Sequence, residues 1–244
     1  MSPNRLCWLN PDDSPEQFPD VEEALSEPEG LLAAGGDLSE RRLLAAYRKG
    51  IFPWFDDGQP ILWWSPDPRC ILRPAELHIS RRLRQQLRNS TAELRFNSAF
   101  GAVIRACAED RVSQQGTWIT GEMIAAYELL HADGWAHSIE IWQAGELAGG
   151  MYGLYIGRVF FGESMFSAVP NASKIALLGL TRQTSPTALE LIDCQVVSQH
   201  LLSLGASTVS RREFTQVLAH ACNPAKRWEN WPKMPIPVAR LVCD

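Results

Sequence analysis

Three strand-like runs, AHSIEIW, ELAGGMYGLYIG and RVFFGESMF, follow one another from Ala136 to Phe166, with Ala144-Gly145 and Gly157-Arg158 at their junctions. Such dipeptides suit hairpin turns, because glycine takes the positive φ that these turns require at no steric cost. Runs joined this tightly predict an antiparallel meander. Ahead of it, TWITGEMIAAYELLHADG sets Met123, Ile124, Tyr127 and Leu130 at helical spacing behind Thr120 as cap, and stops at Asp133-Gly134. Behind it, Asn171 is placed to cap a helix running to about Thr181. LELIDCQVV then reads as a further buried strand, and Ser210 with Glu213 makes a capping box before Phe214, Val217 and Leu218.

Upstream, GGDLSERRLLAAYRKGIFPW reads as a short helix with Asp37 or Ser39 as cap, Leu43, Leu44 and Tyr47 as its apolar face, and Gly50 as stop. Pro, Asp and Gly crowd residues 53 to 68, PWFDDGQPILWWSPDP, and this punctuation suggests a junction near Asp67. The expectation is a small N-terminal domain over 1–67 and a larger one over 68–244. The order of meander, helix, returning strand and helix is that of an N-acetyltransferase sheet, an analogy of fold alone. The expected class is therefore α+β, with a GNAT-type larger domain whose mixed, mainly antiparallel sheet is flanked by helices.

Charge and cysteine pattern exclude several functions. With 28 acidic against 23 basic residues and a net charge of -5, the chain does not coat nucleic acid over its whole surface, so any such contact is local. The cysteines at 7, 70, 107, 194, 222 and 243 form no C-x-x-C pair, which signals neither zinc nor dithiol chemistry and fits reduced thiols in the cytoplasm. His78, His131, His137, His200 and His220 lack metal-ligand spacing, so no metal or cofactor is expected. MSPNRLCWLN has no apolar signal core, and no run approaches the roughly 18 apolar residues of a membrane span, so no membrane contact is expected either.

FFGESMFSAVPNASKIAL sets one carboxylate, Glu163, among aromatics and methionine. Strand alternation would point Phe161, Glu163 and Met165 to one side, and Asp193 with Gln195 likewise to one side. If the two strands are neighbours, two carboxylates and an amide converge in a pocket walled by Phe and Met, which is how ligand sites are built. The alternative is that Glu163 and Asp193 sit hydrated or arginine-paired at strand ends. SRRLRQQLRN carries Arg81, Arg84 and Arg88 along one helical face, with Arg82 beside them and no acid among them. Such a run is either a solvated face or a phosphate-binding one. Ser164 and Ser167 lie in no nucleophile elbow, and covalent catalysis has little support.

The strings GLLAAGGDLS, AYRKGIFPWF, WWSPDPR, GTWIT, AHSIEIW, GGMYG, GESMFS, NASK and IDCQV occur here in this order. Together they resemble the bacterial leucyl/phenylalanyl-tRNA-protein transferase family, over roughly residues 27 to 215. The resemblance implies an aminoacyltransferase that moves Leu or Phe, with Met as an additional candidate, from aminoacyl-tRNA to proteins beginning with Arg or Lys. Such a transfer marks the acceptor for N-degron degradation. It implies that Asp193 and Gln195 hold and polarise the attacking amine, with Glu163 holding substrate polar groups nearby. It further implies an apolar pocket from Met151, Phe160, Met165, Leu177, Leu180 and Ile192, and aromatic positions around the terminal adenosine at Tyr47, Trp54, Trp118 and Tyr127. Leu180 departs from the aromatic residue expected there. Arg81, Arg82, Arg84 and Arg88 are expected on the tRNA acceptor stem, and the protein is expected to be a monomer.

Two rivals stand beside this reading. A coenzyme A-dependent N-acetyltransferase would share the fold but needs a glycine-rich pyrophosphate turn after the third meander strand, and SMFSAVPNASK has no glycine. A non-catalytic binding module would use the nine tryptophans to stack on bases or sugars.

Overall fold

The computed structural model describes residues 6–112, 118–184, 188–223 and 226–242. Its first elements are β1 (Cys7–Leu9), β2 (Leu31–Gly35), α1 (Glu40–Arg48), β3 (Phe52–Pro53) and β4 (Leu62–Trp64). Then come β5 (Arg69–Leu72), α2 (Arg81–Arg88), β6 (Glu93–Phe96), α3 (Phe100–Val112) and α4 (Gly121–Ala132). The meander is β7 (Ala136–Gln143), β8 (Glu146–Ile156) and β9 (Val159–Ser167), followed by α5 (Ala172–Gln183) and β10 (Leu191–Gln195). The chain closes with α6 (Gln199–Ser203), β11 (Ser207–Val209), α7 (Arg211–Ala221) and β12 (Ile236–Pro237).

These form an α+β molecule with two mixed sheets. The first has four strands in the order β1-β2-β4-β3, with β1 parallel to β2 and the other pairs antiparallel. Between Trp64 and Arg69 the chain passes to the second sheet, whose eight strands run β11-β5-β10-β9-β8-β7-β6-β12. There β9 and β10 are parallel, and every other neighbouring pair is antiparallel. No helix among the described residues is long and apolar enough to cross a membrane. The five described cysteines are free thiols.

The meander forms where glycine placed it. Ala144 and Gly145 take φ of 51° and 84° at the first turn, and Gly157 takes 65° at the second. Helix starts follow the hydroxyls: Ser39, Thr120 and Ser210 accept the backbone N–H of Arg42, Met123 and Glu213 at 3.4, 3.2 and 3.2 Å. Asp37 instead holds Ser39 N–H and the buried Arg42 Nε, at 2.8 and 2.9 Å. Asn171 corrects the reading of its helix. It stands at the cap position with φ 68°, its side chain makes no capping bond, and its amide donates to Gln86 Oε1 at 3.3 Å. Ser167 Oγ takes the free N–H of Ser173 at 3.0 Å instead.

Burial divides the large sheet's residues between two cores. Leu154, Ile156, Val159 and Phe161 join α1, α3 and α4 on one face, while Met151, Tyr155, Phe160 and Ile192 join α2 and α5 on the other. Each fully buried side chain of this size contributes roughly 1.5–3 kcal/mol, so the two faces together clamp the central strands from both sides.

Two irregularities in these strands create the site. Opposite Gly153 and Tyr152 the partner residues are Gly162 and Ser164, so Glu163 is an extra residue bulged out of β9. A bulge reverses side-chain alternation beyond it. Phe161 consequently belongs to one core and Met165 packs on the other, which corrects the expectation that they share a face. Gly153 is required here, since a Cβ on it would fall 2.1 Å from Phe161 O. On β10 the register likewise skips between Asp193 and Gln195, and Gln195 takes φ 61°, so these two do not share a face by simple alternation.

Candidate active site

Glu163 stands where the two bulged strands meet. Its carboxylate is buried, at 5% exposure, and reaches groups from three other elements. Tyr47 Oη of α1 donates to Oε1 at 2.7 Å, Gln195 Nε2 of β10 donates to the same oxygen at 2.8 Å, and Tyr127 Oη of α4 donates to Oε2 at 3.0 Å. The two tyrosine hydroxyls also lie within hydrogen-bonding distance of each other.

The electrostatics follow from this burial. Desolvation pushes the Glu163 carboxyl up to about 7, opposed by the hydrogen bonds from Tyr47, Tyr127 and Gln195, while the Asp193 charge pushes it further up. Burial first, and the Glu163 charge next, raise both tyrosine hydroxyls well above their usual range, so they stay protonated donors.

Asp193 is placed differently. It is fully buried, and both its oxygens are taken by Arg69 of β5, Nε to Oδ1 at 2.8 Å and Nη2 to Oδ2 at 2.7 Å. Arg69 also donates to Gly50 O at 3.1 Å, and its guanidinium lies between the rings of Phe52 and Phe214 at 4.8 and 4.6 Å. Asp193 Oδ1 further accepts Gln195 N–H at 2.9 Å. The pair thus fixes the left-handed turn from which Gln195 extends its amide to Glu163. Of the two situations open for these carboxylates, arginine pairing describes Asp193, while both Asp193 and Glu163 line one pocket.

Glu163, Asp193 and Gln195 line a cavity of about 390 Å³. Its apolar wall comes from Met151, Met165, Leu177 and Ile192, and Trp54 and Trp118 stand among the lining with Val196 and Val197. Phe160 and Leu180, expected in the pocket, are fully buried core residues outside the lining. Tyr47 and Tyr127, expected beside an adenosine, are fully buried as well, with rings against Phe161 and Tyr152. Their hydroxyls serve Glu163 instead. Arg81, Arg82, Arg84 and Arg88 lie on α2, where Leu83 and Leu87 face inward and all four arginines are exposed. Arg82 also borders a second cleft with Lys174 and His78, between α2 and the start of α5.

Arg69 was not singled out from the sequence. Its signal lay in WWSPDPR, a string without periodicity, and nothing local pointed to a carboxylate 124 residues away. Cys194 and His200, also in the lining, carried no signal either.

Comparison with known proteins gives this geometry its context. Residues 71–219 match the family model described as leucyl/phenylalanyl-tRNA protein transferase, and residues 36–67 match the model of that protein's N-terminal domain. A leucyl/phenylalanyl-tRNA–protein transferase of Nitrosospira multiformis is 54% identical over 226 residues, covering 93% of this chain and 96% of that protein. Proteins of the same name from Pseudomonas paraeruginosa and Chromobacterium violaceum are 56% and 53% identical, covering 87% and 92% of this chain and 93% and 96% of theirs. These family matches and relatives define the class of molecule as a transferase enzyme. The chain belongs to the leucyl/phenylalanyl-tRNA–protein transferase family.

Proposed function

We propose that the protein moves a leucyl or phenylalanyl group from aminoacyl-tRNA to the N-terminal α-amine of proteins beginning with Arg or Lys. Acceptors so modified enter N-degron degradation. The observation that carries this reading is a cavity lined both by the apolar side chains of Met151, Met165, Leu177 and Ile192 and by Glu163. An aminoacyl ester has that same polarity, an aliphatic or aromatic side chain at one end and ester, amine and ribose at the other. Methionine walls suit two side-chain shapes because the thioether chain is flexible and polarizable.

Aminolysis of an activated ester needs positioning more than activation, and holding two reactants in register removes a large part of such a barrier. The Arg69–Asp193 pair sets Gln195, Gln195 and the two tyrosines set Glu163, and the exposed α2 arginines supply charge for tRNA phosphates. Trp54 is 40% exposed in the cavity lining, which supports a stacking role for it on the terminal adenine. We assign the eight-stranded sheet to an acetyltransferase-like domain beginning at residue 68, after a small domain over 1–67, and the enzyme to the cytoplasm as a monomer. The change of sheet between Trp64 and Arg69 supports that division.

The test is transfer of labelled Leu and Phe from charged tRNA to a peptide with a free N-terminal Arg and to its N-acetylated copy. Label on the free peptide alone is expected. Label on neither, with charged tRNA still bound, would identify a binding protein instead.

A further inference from the structure

The ring of oxygens around Glu163 is short of a proton when the carboxyl is ionised. Three hydrogen-bonding distances join Glu163 Oε1 to Tyr47 Oη, Tyr47 Oη to Tyr127 Oη, and Tyr127 Oη to Glu163 Oε2. Two tyrosines bring two hydroxyl protons, and each hydroxyl donates only once. One of the three is left without hydrogen unless the carboxyl brings a third proton. With that proton the ring closes, each group donating once and accepting once.

Among the carboxylates that line the cavity, the two differ in what holds them. Asp193 is committed to the Arg69 cation through both oxygens, whereas Glu163 has only neutral donors. Gln195 is an amide that presents N–H to Glu163 and does not take a proton near neutrality. We infer that Glu163 is the residue that accepts the proton of the incoming amine and returns one to the departing ribose oxygen, with Tyr47 and Tyr127 as the ring that stores it. This rests on the aminoacyl transfer proposed above.

The proton count closes. The ammonium of the acceptor gives one proton to the ionised Glu163, and the freed nitrogen lone pair forms the C–N bond at the ester carbonyl. As the carbonyl re-forms, the C–O bond to the ribose breaks and its electron pair stays on the ribose oxygen. Glu163 gives its proton to that oxygen and takes the remaining excess proton from the nitrogen, then releases it to water. The products are an amide, a ribose hydroxyl and one proton in solution.

The carboxyl's position near 7 suits this use, since a base works best when its pKa lies close to the working pH. The titratable and charged groups facing it are Tyr47 from α1, Tyr127 from α4 with Tyr152 of β8 behind it, and Asp193 with its Arg69 partner from β10 and β5. Cys194 and His200 stand further along the cavity wall.

The test is the single-turnover rate of Leu transfer from charged tRNA to an Arg-terminated peptide between pH 5.5 and 9. Wild type is expected to show two ionisations, that of Glu163 and that of the acceptor amine. E163Q is expected to lose the lower one and to fall about 10²- to 10⁴-fold in rate. Tyr47→Phe opens the ring that holds the proton and is expected to displace the lower ionisation from its wild-type pH. Glu163→Ala is expected to regain rate with added formate. E163Q transferring at the wild-type rate with the wild-type pH profile would overturn the inference, as would an unmoved lower limb in Tyr47→Phe. Wild type that labels no peptide would instead overturn the proposed reaction itself, so the two failures are distinct.

Discussion

Arg69 grips both oxygens of Asp193, at 2.8 and 2.7 Å, across the antiparallel β5–β10 pair and with both side chains excluded from water. Truncating either partner strands a charge in the protein interior. Arg69→Ala is therefore expected to lower the unfolding free energy by about 3–5 kcal/mol, read from urea titration. A loss under about 1 kcal/mol, the worth of an exposed pair, would mean that the site is open to water. The same variant should release Gln195 from its turn and depress transfer in the fraction that remains folded.

Glu163 gives stability a pH dependence of definite sign. Its carboxyl is raised from an ordinary 4.5 to about 7 in the fold. Between those values the native state keeps a proton that the unfolded chain has released, so stability falls as pH rises and the full cost is present above 7. The decline amounts to about 3 kcal/mol. E163Q cannot ionise, so its unfolding free energy should lack this decline when the two proteins are compared by denaturant titration at pH 4.5 and 8. Parallel pH curves would show that the carboxyl is not perturbed by burial.

Met165 walls the cavity from the far side of the bulge. Met165→Ala should enlarge the pocket and shift the ratio of kcat/KM for Phe over Leu toward Phe. Changes of a methylene or two in an apolar pocket are worth about 1–3 kcal/mol, so a shift of roughly 10-fold is expected. An unchanged ratio with charged tRNA still used would place the donor side chain elsewhere.

The arginines of α2 are exposed and have no acidic partner among the described residues. Replacing Arg82 and Arg84 by Ala should weaken tRNA binding and flatten its dependence on salt. Every phosphate that an arginine neutralises steepens the slope of log K against log salt by roughly 0.7–0.9, so removing the pair should make it shallower by about 1.5. An unaltered slope in a binding titration would show that α2 is merely a solvated face.

Much of the frame was legible in the chain. The turns at Ala144-Gly145 and Gly157-Arg158, and the hydroxyl caps at Ser39, Thr120 and Ser210, rest on interactions within a few residues, and each stands where local chemistry put it. Other features depended on distant partners and left no such mark. Glu140, fully buried on β7, accepts the N–H groups of Ser98 and Ala99 at 2.8 Å each and so holds the start of α3, a helix that no periodicity announced. Phe160 and Leu180 carry the opposite ambiguity, since an apolar residue in a strand or helix reads alike whether it lines a cavity or fills a core.

By itself the sequence determined the meander, the hydroxyl caps at Ser39, Thr120 and Ser210 and the family, and it pointed to Glu163, Asp193 and Gln195. Only the tertiary structure decided what those three residues touch. Alternation with period two holds along a regular strand, and two bulges, at Glu163 and at Cys194, break it at the places where the site forms. A bulge is set by pairing with a neighbouring strand, so one strand's residues do not encode it alone. The same reason explains why Asp193 met Arg69 and why Tyr47 and Tyr127, 80 residues apart, turned their hydroxyls to one carboxyl rather than their rings to a ligand.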